Sequence, residues 1–283
     1  MRPAEQLFVC YFTYVVILSG LFRDRPHLHW QPFGYLVGAA AFFLLLSKLQ
    51  RGFLKTPVAI FRDWLPVAFT LVAFREMELF VPWKYPLAFE SSWIKLDHLV
   101  LHHWGLRAVI ESLGYVLPAY FEFCYFLVYG LAVFSLACIA VHPDRRRIDY
   151  FWTVYLTGTL TAYALFPYFP SLPPRYAFPL VDPPTLITWV RTLNLTLLRG
   201  ATIHSGVFPS AHVSSAFSAV WALYFLFPRR RWLADGMLLY AVSVSIATVY
   251  GRYHYVADVL AGFAVSLIAL GVAFFRKSNV QEY

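Results

Sequence analysis

Long apolar segments recur along the chain and alternate with shorter segments that carry charged residues, prolines and glycines. A helix needs about 20 mostly apolar residues to cross the hydrocarbon core of a bilayer, which is about 30 Å thick. Boundaries read from such a pattern are accurate only to several residues. By this length the pattern predicts eight membrane-spanning helices, at residues 5–22, 33–49, 61–80, 116–141, 150–169, 207–227, 232–250 and 255–275.

Composition places the chain among membrane proteins. Of its 283 residues, 60% are hydrophobic, 19% aromatic and only 13% charged, whereas soluble domains are about half apolar and about a quarter charged. The formal net charge of +8 would suit nucleic acid, but the basic residues form short clusters between apolar segments, as orientation in a bilayer requires. The sequence therefore predicts an all-α, polytopic membrane helix bundle of six to eight spans with no nucleic-acid partner.

The connections between the predicted spans fall into two alternating sets. One set is short and basic, and it includes the arginine runs 145–147 and 229–231. The other set is longer and richer in proline, tryptophan and tyrosine, and it comprises residues 23–32, 81–115, 170–206 and 251–254. Because basic loops stay in the cytoplasm, both chain termini are predicted to be cytoplasmic, and the second set is predicted to face the outside or a lumen.

The sixth span opens with Pro-Ser-Ala-His at residues 209–212. Proline and serine favour the start of a helix, so His212 is predicted in the first turn, at the outer membrane boundary. Free backbone N–H groups and the positive end of the helix dipole suit such a turn to anions. Ser210 can cap the helix or donate to a phosphoryl oxygen. Taken alone, a capping turn with a histidine at headgroup level explains this stretch equally well.

The last span opens with Gly-Arg-Tyr-His-Tyr-Val-Ala-Asp at residues 251–258. His254 and Asp258 lie four residues apart, hence on one helical face and about 6 Å apart along the axis. A carboxylate that faces lipid near the bilayer centre costs about 2.5–3.5 kcal/mol, so Asp258 should point into the bundle. The pairing would fix the tautomer of the imidazole and leave its other nitrogen as a nucleophile or base. The alternative is a structural pair that only joins two helices.

A proline-rich stretch, residues 165–179, follows the fifth span and carries Arg175. Its prolines end the helix and stiffen the outer loop. A guanidinium suits bidentate contact with phosphate oxygens. By itself, however, a Pro-Pro-Arg stretch is more often a loop with a surface base.

Along the chain come first Arg175, then residues 209–212, then the pair of His254 with Asp258. This order of residues resembles the three-motif signature of the phosphatidic acid phosphatase type 2 superfamily of membrane enzymes. The resemblance covers the chain from the end of the fifth span onward. The earlier segments contribute only a compatible helical pattern.

The resemblance implies a role for each of these residues. His254 would attack phosphorus and form a phosphohistidine, Asp258 would orient it, and His212 would protonate the leaving oxygen. Ser210 and Arg175 would bind the phosphate. No metal or cofactor is expected, because positive side chains and helix-end amides can stabilise the added charge of the transition state.

Two departures from the phosphatase pattern bear on the reaction. The first motif of phosphatases has a lysine seven residues before the arginine and a proline after it, and these positions are Tyr168 and Tyr176 here. The third motif has an arginine six residues before the nucleophile, which is Thr248 here, and Arg252 could supply that charge from another angle. The motifs look closer to the branch of inositol phosphorylceramide synthases and their bacterial relatives, which transfer a phosphoryl-alcohol headgroup between lipids.

The chain shows no internal repeat and no linker, which predicts a single integral-membrane domain over residues 1–283. Within it, residues 1–115 would supply N-terminal helices plus an interfacial helix, and residues 116–283 the catalytic helix bundle. The interfacial helix is predicted at 91–113, where tryptophan, lysine and arginine mix with leucine.

Other ionisable residues carry weaker signals. His98 and His102 lie four apart beside Asp97, a spacing that metals can use, but the interfacial helix explains them better and no metal is predicted. The cysteines lie in apolar segments and indicate neither a disulfide framework nor a metal site. Glu122 lies within the fourth span and should face the bundle, toward Arg75, a histidine or backbone partners.

The leading hypothesis is an integral-membrane lipid phosphoesterase or headgroup phosphotransferase. Its substrate would be a lipid phosphate or phospholipid, and an alcohol or second lipid is a candidate acceptor. The altered motifs favour transfer, yet water can replace an alcohol. The alternative is a lipid transporter or scramblase that binds headgroups without chemistry, although such folds often show paired repeats and broken helices. A purely structural subunit would leave the two histidine motifs unexplained.

Overall fold

The computed structural model describes residues 1–51, 55–85, 87–140, 145–201, 203–204 and 206–277, and all regular secondary structure within them is helical. The predicted all-α bundle is therefore confirmed. The described α-helices are, in chain order, α1 (Pro3–Ser19), α2 (Gln31–Leu49), α3 (Lys55–Glu76), α4 (Glu90–His98), α5 (Leu106–Glu111), α6 (Val116–Leu127), α7 (Leu131–Ala140), α8 (Arg145–Leu165), α9 (Pro174–Ala177), α10 (Trp189–Ala201), α11 (Ala211–Leu226), α12 (Arg231–Tyr250) and α13 (Val256–Arg276).

Several of these helices have the length and apolar character of membrane spans. Among the described residues, five segments qualify: Gln31–Leu49, Lys55–Phe80, Val116–Ala137, Arg231–Tyr250 and Val256–Arg276. The helices α1 and α11 are apolar but shorter, and α8 has 21 residues with a charged first turn. Each of the eight predicted spans thus corresponds to a helix or to a pair of consecutive helices. The chain is a membrane protein.

The boundaries of the third span differ most from the prediction. The helix begins at Lys55 rather than at 61, because the charged residues near its start have partners inside the bundle. Arg62 donates through Nε and Nη2 to the two carboxylate oxygens of Glu5, at 2.7 and 2.6 Å. Asp63 accepts from Arg2. Both pairs join α3 to α1 at the end of the bundle where these two helices begin.

The centre of the bundle is formed by α8, α11 and α13, and small side chains let their backbones approach closely. The Oγ of Ser214 in α11 donates to the carbonyl of Gly158 in α8, at 2.9 Å. A Cβ atom added to Gly158 would lie 2.0 Å from the Oγ of Ser218. Glycine at this position is therefore required for the packing of α8 on α11.

The two longer connections contain helices of their own. The predicted interfacial helix at 91–113 is divided into α4, a short π-helix at Leu99–His103, and α5. Gly105 adopts a φ of +73° and separates the π-helix from α5. The helix α10 lies within the connection 170–206 and was not predicted. It has only 13 residues and its buried face mixes apolar with polar side chains, so a search for apolar spans does not find it. It packs against α6, where the side chain of Asn194 donates to the carbonyl of Glu122 at 2.8 Å.

We predict that Arg62→Met destabilises the protein by about 3–5 kcal/mol, because it leaves the carboxylate of Glu5 buried without its cation. The measurement is the unfolding free energy of the purified protein in detergent. Arg51→Met is the matched control, since Arg51 is exposed. The double variant Glu5→Leu/Arg62→Met should regain most of the loss. An Arg62→Met protein as stable as the control would contradict the prediction.

Candidate active site

The starts of α11 and α13 touch each other through their backbones. The N–H of Ser210, which precedes α11, donates to the carbonyl of Asp258 in α13 at 2.9 Å. One turn further along α13, a Cβ atom added to Gly262 would lie 2.4 Å from the carbonyl oxygen of Ser210. The distance between the two helix starts is therefore fixed by main-chain atoms.

This contact brings together the two histidines that the sequence singled out. His212 lies in the first turn of α11, and His254 lies in the connection that leads into α13. Their ring centroids are 5.3 Å apart with an interplanar angle of 63°. Two imidazoles 42 positions apart in the sequence thus border one small space at one end of the bundle.

The hydrogen bonds of His254 determine which of its nitrogens is free. Its Nδ1 lies 3.0 Å from the carbonyl oxygen of Val207 and 3.3 Å from Oδ2 of Asp258. Both partners accept only, so we infer that Nδ1 carries the proton and Nε2 the lone pair. Burial lowers the pKa of His254 to about 3, and the positive charge of Arg175 acts in the same direction. The imidazole is therefore neutral near pH 7, as a nucleophile must be.

Aromatic rings surround the side chain of His212. The ring of Tyr125 stacks on it, with centroids 5.3 Å apart and an interplanar angle of 12°, and Tyr129 contacts it edge-on at 6.1 Å. Tyr125 also stacks on Tyr253, with ring centroids 3.8 Å apart. The Nε2 atom of His212 is buried without a hydrogen-bond partner among the described residues. Such an atom is available to an oxygen of a ligand.

Ser210 acts as the N-cap of α11. Its backbone is extended, and its Oγ accepts from the N–H of Val213 at 3.4 Å. Ser210 therefore caps the helix, which is one of the two roles that the sequence suggested for it. The hydroxyl proton stays available for a phosphoryl oxygen, because a serine can accept and donate at once.

Arg175 and Arg252 lie side by side in the structure. The N–H of Arg175, in α9, donates to the carbonyl of Arg252 at 3.2 Å, and the Arg175 guanidinium lies 5.6 Å from the ring centroid of Tyr253. Within the described part of the chain, the Nε atoms of both arginines and Nη2 of Arg252 are buried and lack a partner. These N–H groups can donate to the oxygens of a phosphate.

A cavity of about 280 Å³ adjoins these two arginines, and α10 contributes two more. The four guanidinium-bearing residues that line it are Arg175, Arg191, Arg199 and Arg252. The sequence did not indicate Arg191 or Arg199, because α10 was not predicted. An amphipathic pattern over 189–201 would have been the only signal.

Glu122 faces the bundle as expected, but its cation is Arg191 and not Arg75. Nη1 of Arg191 donates to Oε1 of Glu122 at 2.7 Å. The side chains of Tyr253 and Asn194 donate to Oε2, at 2.6 and 2.8 Å. Arg75 instead donates to a backbone carbonyl near the end of α10. The Glu122 network therefore joins α6 and α10 to the residue that precedes His254.

Asp97 points away from the neighbouring histidines and toward the site. Its Oδ2 accepts from Nη1 of Arg252 at 2.6 Å. Burial raises the pKa of Asp97 to about 6, against the opposing effect of Arg252. His98 and His102 stack on each other at 4.9 Å, and Nδ1 of His98 meets Oδ2 of Asp182 at 2.7 Å. The described residues contain no group of three potential ligands around a metal position.

The two positions where phosphatases carry additional bases serve other contacts here. The carbonyl of Thr248 accepts from the N–H groups of Tyr253 and His254, at 2.9 and 3.0 Å. The hydroxyl of Tyr168 contacts that of Tyr14 at 3.3 Å. Neither position contributes a charge, so the basic groups of this site come from elsewhere in the chain.

Comparison with known proteins agrees with this geometry. The family model of the PAP2 superfamily matches residues 94–272, which is more than half of the chain. The chain belongs to the PAP2 superfamily. The family resemblance read from the three motifs is thus confirmed, and the match begins earlier than those motifs, within α4.

A curated relative within the PAP2 superfamily is a PA-phosphatase related-family protein from Dictyostelium discoideum. It is 25% identical over 220 residues, which cover 70% of this chain and 38% of the relative. The chain therefore spans well under half of the length of that relative. No solved structure matches the chain.

We predict that Gly262→Ala lowers any phosphate-ester turnover that depends on the approach of His212 to His254 by up to about 100-fold, because the contacting atom is a backbone oxygen and the two helix starts must separate. The measurement is kcat on a short-chain lipid phosphate, together with the thermal unfolding midpoint. Gly271→Ala is the control in the same helix, where an added Cβ meets nothing within 4 Å. Equal kcat values for the two variants would refute the prediction.

Proposed function

We propose that the protein is a membrane lipid phosphoesterase that works through a phosphohistidine at His254. The observation that carries this proposal is the approach of the His212 and His254 rings to 5.3 Å. The proton on Nδ1 of His254, held by Asp258, and the unpartnered Nε2 of His212 support opposite roles for the two rings.

In the proposed reaction, the lone pair on Nε2 of His254 forms a bond to phosphorus. The bond between phosphorus and the oxygen of the leaving lipid alcohol breaks, and a proton from His212 passes to that oxygen. The negative charge of the phosphate favours the protonated form of His212 needed for this step. Water or an alcohol then attacks phosphorus, His212 accepts its proton, and the bond to His254 breaks.

The charge balance of the cavity supports a phosphate substrate. Two of its four arginines are neutralised by carboxylates, Arg252 by Asp97 and Arg191 by Glu122. Among the described residues no carboxylate pairs with Arg175 or Arg199, so their charges can attract an anion to the cavity. The cavity lies beside the histidines and is not lined by them. At the histidines, Arg175, Ser210 and the N–H groups at the start of α11 are the proposed donors to the phosphate.

Hydrolysis and headgroup transfer differ only in what attacks the phosphohistidine. The substitution of both phosphatase-type bases, by Tyr168 and Thr248, favours transfer as in the inositol phosphorylceramide synthase-like branch. The test is the fate of labelled phosphate, with and without inositol or another alcohol. A new phosphodiester lipid would establish transfer, and inorganic phosphate released from a monoester would establish hydrolysis.

The site is proposed to face the outside or a lumen, with both chain termini in the cytoplasm. Supporting this, the arginine run 229–231 follows α11 and Arg276 ends α13, so both lie at the ends of these helices away from the histidines. The chain is further proposed to be one integral-membrane domain. A continuous apolar core that includes Phe8 as well as Ala273 supports this.

We predict that His254→Ala abolishes both turnover and the covalent intermediate, since it removes the nucleophile of the proposed reaction. The measurement is a rapid quench with labelled lipid phosphate, in which phosphohistidine is recognised as acid-labile and alkali-stable. His27→Ala, at an exposed histidine in the first connection, should retain both signals. Full turnover by His254→Ala would contradict the mechanism, and lipid movement without phosphate release in wild type would favour a transporter.

We predict that the loss of activity in His212→Asn depends strongly on the leaving group. With a lipid phosphate, whose alkoxide needs a proton to leave, kcat should fall by about 10²–10⁴-fold. With p-nitrophenyl phosphate, whose phenolate leaves unprotonated, the loss in kcat should be smaller by about tenfold or more. Equal losses on both substrates would show that His212 is not the general acid.

A further inference from the structure

One face of α4 contacts all three segments that carry the proposed active-site residues. The contacting residues are Glu90, Trp93 and Asp97, which are spaced as neighbours on one helical face. The opposite face carries Lys95, which is exposed. Together the three residues contact all three segments.

Glu90 contacts the segment of the first motif. Its Oε1 accepts from the backbone N–H of Leu172 at 3.0 Å, three residues before Arg175. The Glu90 side chain is almost completely buried, with 1% of the residue exposed. A carboxylate buried in this way orders the proline-rich loop, because the loop supplies its hydrogen bond.

Trp93 contacts the segment of the second motif. Its ring stacks on Phe208, with centroids 4.8 Å apart and planes at 15°. Phe208 lies two residues before the N-cap Ser210. The Trp93 ring also meets Tyr255 of the third motif at 5.5 Å. The indole therefore lies between the second and third segments.

Asp97 contacts the segment of the third motif on both sides of His254. Its Oδ2 accepts from Nη1 of Arg252 at 2.6 Å, and its Oδ1 accepts from the N–H of Val256 at 2.8 Å. The residue is completely buried. One carboxylate thus fixes both the guanidinium two residues before the histidine and the backbone two residues after it.

We propose that α4 is the positioning element of the active site and that Asp97 is its principal positioning residue. The three motif segments reach the site from different helices, and α4 is a rigid element that all of them contact. Asp97 does not reach the reacting atoms in this role. It orients Arg252 toward the phosphate and holds the turn that presents Nε2 of His254. This inference rests on the proposed chemistry at His254.

The experiment compares Asp97→Asn, Arg252→Gln and the double variant in the purified full-length protein. Asp97→Asn is expected to lower kcat on a lipid phosphate by up to about 100-fold, with KM changed by less than about threefold, because the substitution disturbs the alignment of the reacting groups. The double variant should lose less than the product of the two single losses, because part of the effect of Asp97→Asn already passes through Arg252. Losses that multiply would overturn the proposal, since the two residues would then act independently.

Lys95→Gln is the control on the exposed face of α4 and should retain wild-type kcat. If Asp97→Asn does not fold, Trp93→Ala and Trp93→Phe replace it. A loss in Trp93→Ala that Trp93→Phe largely restores would support the role of α4, and wild-type kcat in Trp93→Ala would overturn it.

A second readout does not depend on activity. Amide hydrogen exchange of residues 252–258 should accelerate in Asp97→Asn and stay unchanged in Lys95→Gln. Failure of the proposed chemistry would appear as full activity in His254→Ala, whatever the exchange data show. Unchanged exchange together with wild-type kcat in Asp97→Asn would overturn the positioning role alone.

Discussion

The contact between the backbones at the starts of α11 and α13 is the constraint on which the site depends. Ser210 donates to the carbonyl of Asp258, and Gly262 leaves room for the carbonyl of Ser210. Main-chain atoms cannot change rotamer, so this contact sets the separation of the two helix starts far more rigidly than side-chain packing would. The approach of His212 to His254 follows from it, and so does the small size of the space between them.

Around that constraint, buried acids hold the basic groups in place. Asp97 pairs with Arg252 and Glu122 pairs with Arg191, and both carboxylates are buried at the same end of the bundle. Breaking one buried pair leaves an uncompensated charge, which is costly. The guanidiniums of these two arginines are therefore ordered before a substrate arrives. Pre-ordered positive groups stabilise a transition state without reorganising when it forms.

The sequence was informative wherever a local rule determined the structure. Apolar length predicted each long helix. The sequence also paired His254 with Asp258, but on one helical face, whereas His254 precedes α13 and meets Asp258 from the connection. Sequence reasoning failed where partners are distant in the chain or where a helix is polar. Asp97 reaches Arg252 across 155 positions, and no periodicity records such a pair. The helix α10 went undetected because it is short and its buried face mixes the apolar Val190 and Leu198 with Arg191 and Asn194.

The missing arginine of the third motif is better described as a relocated charge than as a lost one. At the position of Thr248, an arginine side chain would extend from the last turn of α12. The carbonyl of Thr248 already accepts from two N–H groups of the following turn. Arg252 lies beyond that turn with a left-handed φ of +62°, which costs a non-glycine residue conformational energy. The ion pair with Asp97 offsets this cost. In the proposed mechanism the guanidinium of Arg252 therefore approaches the phosphate from the side of α4. This helix precedes the three motifs in the chain.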